Sequence, residues 1–411
     1  MNAFTDAPWK RNLAVIWMGE LLAISGFSLV MPFLPYYIQE LGIRDPRQVA
    51  LWTGMLTSAH AVAMTVVSPF WGNLADRYGR KLMVERAMFG GAFVLALMGF
   101  ARDVYQLLAL RLLQGALTGT VVAATTLVAS TVPRERVGSS LGLLQMAIYL
   151  GASLGPALGG VLADAVGYRP TFWVTAGLLF AAGMSVHFLV HEAFRPQPRG
   201  KEGQGGGWRE ALGSLLGPAL VSMLLVRALS RIGVRTVDPM LPLFVQELQG
   251  ATAGVASAAG LVVGAAAAAA AVGAVLWGRV GDRLGHRRVL ATCICLSALF
   301  YVPQFFAQNV GQILVLQMLT GLVNGGLLTS ITSLLAQISP EGREGLVYGL
   351  DSSATSVANF LGPMLGAGVV AWWGVRSVFL AAAVAMGASA AFVLWLLARP
   401  NGKPTPTGCG T

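Results

Sequence analysis

Along this chain apolar residues run for twenty or so positions at a time, and short polar segments divide the runs. The first covers about 13–35, behind Lys10 and Arg11. Others follow near 49–71, 82–101, 104–131, 139–163 and 170–190. After a polar interval come runs near 216–239, 252–277, 289–307, 311–337, 345–371 and 377–398. A helix rises about 1.5 Å per residue, so roughly 20 apolar residues cross a hydrocarbon core of about 30 Å. The first run is too long for a secretory leader and has no small-residue cleavage site, so it reads as a retained span. The pattern predicts an all-α integral membrane protein of twelve transmembrane helices.

The second six runs repeat the first. Pro32-Phe33-Leu34-Pro35, with Gln39-Glu40-Leu41, returns 207 positions on as Pro239-Met240-Leu241-Pro242, with Gln246-Glu247-Leu248. At the same offset Gly155-Pro156 and Gly159 return as Gly362-Pro363 and Gly366. Gly167, Arg169 and Phe172 return as Gly374, Arg376 and Phe379. Gly115 and Gly119 match Gly321 and Gly325. The polar stretch Gly72-Asn73-Leu74-Ala75-Asp76-Arg77-Tyr78-Gly79-Arg80-Lys81 returns as Gly278-Arg279-Val280-Gly281-Asp282-Arg283-Leu284-Gly285-His286-Arg287. Each copy reads as a short charged turn framed by glycines, Gly72 and Gly79 or Gly278 and Gly285. Six helices bring the chain back to its starting side, so the repeat is parallel, about an axis along the membrane normal. The expected organisation is two pseudo-symmetric six-helix bundles. They cover 1–191 and 215–400, joined by a flexible Gly/Pro-rich cytoplasmic linker, 192–214, and followed by a disordered tail, 401–411.

Composition sharpens this picture. Hydrophobic residues make up 55% of the chain and charged residues 11%, against about 25% charged in soluble domains. Most of the surface therefore faces lipid. A net charge of +10 raises nucleic acid as a partner, but the basic residues form no binding stripe. They lie in the short segments, mostly on the side of the termini. The other side holds only Arg44, Arg47, Arg102, Arg169 and Arg376. That bias predicts both termini in the cytoplasm. Three cysteines give no disulfide framework, and Cys293 and Cys295 read as packing residues. His60 and His187 are lone histidines, with no metal-ligand cluster around them. The absence of a nucleotide loop or nucleophile triad argues against an enzyme or an ATP-driven pump.

Three motifs carry a resemblance. The stretch Gly72–Lys81 fits G-x-L-a-D-r-x-G-r-k, and Leu110-Arg111-Leu112-Leu113-Gln114-Gly115 contains R-x-x-Q-G. Gly151-Ala152-Ser153-Leu154-Gly155-Pro156-Ala157-Leu158-Gly159-Gly160 fits G-x-x-x-G-P-x-x-G-G. Over nearly its whole length the chain resembles the major facilitator superfamily, and the three motifs together resemble its drug:proton antiporters. The resemblance implies export rather than uptake, a proton gradient in place of a cofactor, and a bacterial inner-membrane location. It also implies that Asp76, with Arg77, Arg80 and Lys81, latches a cytoplasmic gate near the start of span 11. The second copy, Asp282 and Arg283, departs from the pattern at His286. Gly151, Gly155 and Gly159 recur every four residues and permit close helix approach. Gly260, Gly264 and the alanines 265–271 of span 8 are the expected partner face.

Ionisable residues inside a bilayer cost about 2.5–3.5 kcal/mol each on insertion scales, so each needs a reason. Glu20 lies nine residues past Arg11, roughly 13 Å deep, and Arg111 eight residues past Asp103, roughly 12 Å from the other side. Span 7 carries Arg227, Arg231 and Arg235 four apart, near one helix face. Arg227 is the repeat counterpart of Glu20, and an interaction between them across the cavity is expected in at least one state. The competing pairing gives Glu20 to Arg111 and Arg227 to Asp351. Arg235 is expected to pair with Asp238. The reading that follows is a monomeric twelve-span exporter of small amphipathic solutes, with lipid and protons as its other partners. Glu20 exchanges its proton as the cavity changes access, with Arg111 setting how readily it does so. The arginine stripe suits an alternative, uptake of a sugar or organic anion. A transport-inactive receptor or scaffold is the reading from another class, disfavoured by the intact gate motif and the cavity charges.

Overall fold

The apolar runs become long helices in the computed structural model, which describes residues 8–192, 217–250, 253–340 and 344–398. Within these ranges the side chain of Asp76 is outside the description. The expected linker 192–214 falls outside it except for Glu192, and the tail 401–411 falls outside it entirely. Span 1 is Pro8–Leu29 continued by Leu34–Glu40, span 2 Pro46–Tyr78, and span 3 Arg80–Met98. Span 4 is Val104–Leu117 continued by Thr120–Thr131, span 5 Val137–Val166, and span 6 Tyr168–Leu189. Span 7 is Pro218–Val237 continued by Leu241–Gln249, and spans 8 and 9 are Val255–Leu284 and His286–Phe305. Spans 10, 11 and 12 are Val310–Ile338, Glu344–Trp373 and Ser377–Ala398. Ten of the spans are long and apolar enough to cross a membrane. The two exceptions are span 3, with Glu85 and Arg86, and span 7, with its three arginines.

The repeated residues explain the repeated geometry. Pro32 and Pro35, like Pro239 and Pro242, lack an N–H and interrupt spans 1 and 7 at the same place. Asp103 and Asn309 cap spans 4 and 10, accepting from the Gln106 amide at 2.8 Å and the Gln312 amide at 2.9 Å. At the side away from the termini, Arg169 Nε donates to Glu40 at 3.0 Å, and Arg376 Nε donates to Glu247 at 2.7 Å. Phe172 packs on Phe33 and Tyr37, and Phe379 on Phe244.

One expectation about the charged stretches is corrected. Gly72 and Gly278 do not frame turns, because the helices of spans 2 and 8 run through them to Tyr78 and Leu284. The reversal falls on Gly79 (φ 103°) and Gly285 (φ 90°) alone. A single residue in that backbone region suffices, and glycine enters it without steric cost.

The small-residue motif packs differently from expectation as well. Gly151, Gly155 and Gly159 lie on span 1, where a Cβ would meet the backbone of Leu21, Ser25 and Leu29. Span 8 instead meets the flank of the motif: Gly160 abuts the Ala256 carbonyl, and Gly260 abuts the Pro156 carbonyl. The alanine run turns to span 10, with the carbonyls of Ala266 and Ala270 against Gly321 and Gly325. A helix carries several faces. Spacing identifies a smooth face, and the neighbour that fills it depends on the bundle.

Candidate functional site

The two halves touch through hydrogen bonds set in the middle and far ends of the spans. Tyr36 Oη donates to the Pro242 carbonyl at 2.6 Å, and Gln39 and Gln246 exchange side-chain hydrogen bonds at 2.8 and 3.0 Å. Gln39 and Gln246 are repeat counterparts, so this contact pairs symmetric positions. Nearer the middle, Ser153 Oγ donates to the Gly264 carbonyl, and Ser58 Oγ to that of Phe360. At the far end of span 5, Asp164 accepts from the Ser257 amide at 2.7 Å.

Glu20 sits in the middle of span 1, fully buried. Its Oε1 accepts from Thr120 Oγ1 at 3.1 Å, and its Oε2 has no hydrogen-bond partner among the described residues. Thr120 opens the second half of span 4, just after Gly119, which breaks the helix at φ 125°. The carboxyl therefore faces the start of a half-helix, where amide N–H groups are unsatisfied and the helix dipole is positive. Thr120 and the break at Gly119 were not recognised from sequence. The glycine was visible only as the counterpart of Gly325, around which span 10 runs continuous.

Arg111, also buried, does not reach Glu20. Its Nη1 donates to Gln114 Oε1 at 3.1 Å, while Nε and Nη2 have no hydrogen-bond partner among the described residues. Gly115, one residue on, lets span 4 press against the His60 carbonyl of span 2. The expected Glu20–Arg227 contact is absent in this structure. Arg227 donates from Nε and Nη2 to the two oxygens of Asp351, at 2.8 and 2.7 Å. Such a bidentate pair uses the planar guanidinium fully. Proximity in the bundle overrides repeat symmetry here, because span 11 carries an acid beside Arg227 and span 5 offers no equivalent beside Glu20. Arg235 pairs with Asp238 at 3.0 Å and also donates to Asn359. Between them Arg231 has no hydrogen-bond or ion-pair partner among the described residues. Its neighbours are Arg227, Arg235, Asp238 and, from span 5 of the other half, Tyr149.

The gate residues occupy the terminal side. Arg77 lies over the Tyr78 ring, and Lys81 Nζ donates to the His187 carbonyl at 2.7 Å and meets Glu85 at 3.5 Å. The amides of Arg80 and Lys81 donate to the carboxylate of Glu192 at 3.1 and 2.8 Å. The expected contact of Asp76 with the start of span 11 falls on a side chain that lies outside the described residues. In the second copy Asp282 is exposed, and its one ion pair among the described residues is with His286, across the turn at the opening of span 9, at 3.3 Å. Arg283 is exposed.

The chain matches the family profile described as Major Facilitator Superfamily over residues 16–259 and 223–408. It is 40% identical over 400 residues to Multidrug resistance protein MdtG of Dickeya zeae, covering 97% of each chain. It is 38% identical over 400 residues to the MdtG of Yersinia enterocolitica, covering 96% of each. Among solved structures it resembles a bacterial homologue of the human lysosomal transporter Spinster in an inward-facing, unoccupied conformation. The TM-score is 0.79 at 15% identity, over 95% of this chain and 97% of that one. The nucleoside transporter NupG gives a TM-score of 0.77 at 12% identity, over 93% and 99%.

Proposed function

Because this chain belongs to the Major Facilitator Superfamily, we propose that it is a secondary active transporter exporting small amphipathic solutes against inward proton flow. The observation that carries the reading is Glu20, a buried acid with one oxygen held by Thr120 and, among the described residues, no partner for the other and no cation bonded to it. An acid at such a place sheds its charge only by taking up a proton. An intramembrane acid without a counter-ion is by default a functional group. The names of the MdtG relatives support drug export. The halves rock about the far-side contacts, and Glu20 gains and loses its proton as the cavity changes access. On this reading both termini are cytoplasmic, the chain sits in a bacterial inner membrane as a monomer, and the proton gradient replaces any cofactor.

Arg231 favours a second reading within the same fold. A partnerless arginine beside Tyr149 attracts a negative group, so organic anions or zwitterions are candidate solutes, and uptake of such a solute is the competing direction. Purified protein in vesicles with an imposed pH gradient tests the proposal. Solute-dependent proton movement should appear with wild type and vanish in Glu20→Gln. In energised cells, expression should lower the accumulation of an exported dye, and raised accumulation would establish uptake instead. Absence of solute-dependent proton movement across cationic, zwitterionic and anionic amphiphiles would overturn the transporter reading.

A further inference from the structure

Spans 5 and 8 meet across the two halves at the side away from the termini, and one carboxylate there crosses from half to half. Span 5 brings Gly160 so close to span 8 that a Cβ would strike the Ala256 carbonyl and the Ser257 Cα. Asp164 follows one turn later, exposed, and its Oδ2 accepts from the Ser257 amide at 2.7 Å and from the Ser257 hydroxyl. Span 8 has no cap of its own. Its N-cap is Gly254 (φ 88°), which has no side chain to offer, and the Ala258 amide makes the first bond of the helix, to the Gly254 carbonyl at 3.0 Å. The Ser257 amide is therefore one of the orphan donors of a helix start, and a residue of the other half satisfies it.

The repeat makes this arrangement informative. The matching seam joins span 11 to span 2, where Gly54 lies against the Pro363 carbonyl as Gly260 lies against that of Pro156. Span 2 caps itself, since Asp45 is its N-cap and accepts from the Arg47 amide at 3.2 Å. At the 207-residue offset Asp164 corresponds to Ala371, so span 11 brings no acid to that seam. One helix start is capped within its own half, the other from across the interface. Asp164 makes no ion pair among the described residues, and the positive group it faces is the helix start itself. We propose that Asp164 is a latch for the far side, holding that side closed by capping span 8 from the other half. Opening the far side parts spans 5 and 8 there and removes this cap, while Asp45 keeps its own bond in both forms. Asp164 is thus a positioning residue, one that touches no solute. The latch rests on the alternating access of the reading above, and not on its solute or its proton.

The test measures the two forms directly, in full-length protein in lipid vesicles without solute or pH gradient. Spin labels at Arg102→Cys and Gln308→Cys, exposed far-side positions in the two halves, report the separation of that side by double electron–electron resonance. The background carries Cys293→Ala, Cys295→Ala and Cys409→Ala. Asp164→Ala should raise the open-to-closed ratio about fivefold, the usual effect of losing a helix cap. Asp164→Asn, an equally good cap, should stay within about twofold of wild type. Ser257→Ala keeps the amide bond and should fall between them. Melting curves verify that each variant is folded, and rescue by asparagine separates a latch from a merely structural aspartate. An unchanged ratio in Asp164→Ala, where Gln39→Ala with Gln246→Ala shifts it, would overturn the latch and leave the transport cycle standing. A shift in Asp164→Asn as large as in Asp164→Ala would overturn the cap as its cause. A single distance in every variant, the glutamine pair included, would overturn alternating access and the latch with it. Proton movement plays no part in this readout, so failure of the Glu20→Gln experiment leaves the latch in place.

Discussion

At the residue scale, the polar groups inside the membrane fall into two kinds. Arg227 and Asp351 are a closed pair with side chains 10% and 12% exposed, each satisfying the other. Removing one partner strands the other. Asp351→Ala should destabilise the protein by about 3–5 kcal/mol, read from the loss of melting temperature in a fixed detergent. A double-mutant cycle should show strong coupling for Arg227/Asp351. Glu20/Arg227 should be additive within about 0.5 kcal/mol in this state, and coupling there would revive the cross-cavity pair. Glu20, Arg111 and Arg231 are the second kind, buried groups that leave donors or acceptors open. Glu20→Gln should abolish proton-driven transport yet leave folded protein in the membrane, because the amide keeps the shape and an acceptor for Thr120. Proton-coupled transport at the wild-type rate in that variant would remove Glu20 from the mechanism.

At the element scale, glycines with equal standing in the sequence do unequal work. Gly119 and Gly325 are repeat counterparts. Gly119 breaks span 4 at φ 125° with open space around it, whereas Gly325 sits in a continuous helix against the Ala270 carbonyl. Gly119→Ala should cost about 1–3 kcal/mol through backbone strain alone. It should also slow transport, by moving Thr120 away from Glu20. Gly325→Ala should leave the coupling site in place and push spans 8 and 10 apart. Stability and transport measured together separate the two: an equal loss of transport per degree of melting temperature would contradict distinct roles. The sequence displayed both glycines at one offset. The break depends on what surrounds each helix, so the pattern could not tell them apart.

At the scale of the whole molecule, the contacts that hold the halves together at the far side set the state seen here. Gln39→Ala with Gln246→Ala removes two hydrogen bonds, each worth about 1 kcal/mol net. The balance should shift by roughly tenfold or more toward the form open on that side, read as cysteine accessibility from the two faces of the membrane. Asp76→Asn should also move this balance, and Asp282→Asn should move it less, since Asp282 is exposed and bonded only within its own turn. A larger effect of Asp282→Asn would reverse the ranking of the two turns.

The sequence by itself determined the class, the twelve spans, the parallel repeat and the family. Each of these follows from a one-dimensional quantity: the length of apolar runs, the offset between like residues, or the order of a motif. It also located the groups with a cost to justify, Glu20, Arg111 and the arginines of span 7, because a charge in a long apolar run is visible without coordinates. Only the tertiary structure decided their partners. Asp351 is 124 residues from Arg227 and Thr120 is 100 from Glu20, and nothing along the chain ranks one distant partner over another. The same holds for the faces of span 5, where the glycine stripe met span 1 and its flank met span 8. It holds again for Glu192, which closes the start of span 3 from 111 residues along the chain. Repeat symmetry in sequence fixes where helices run. Their neighbours are fixed by packing, and packing is not obliged to be symmetric where the residues at the contact differ.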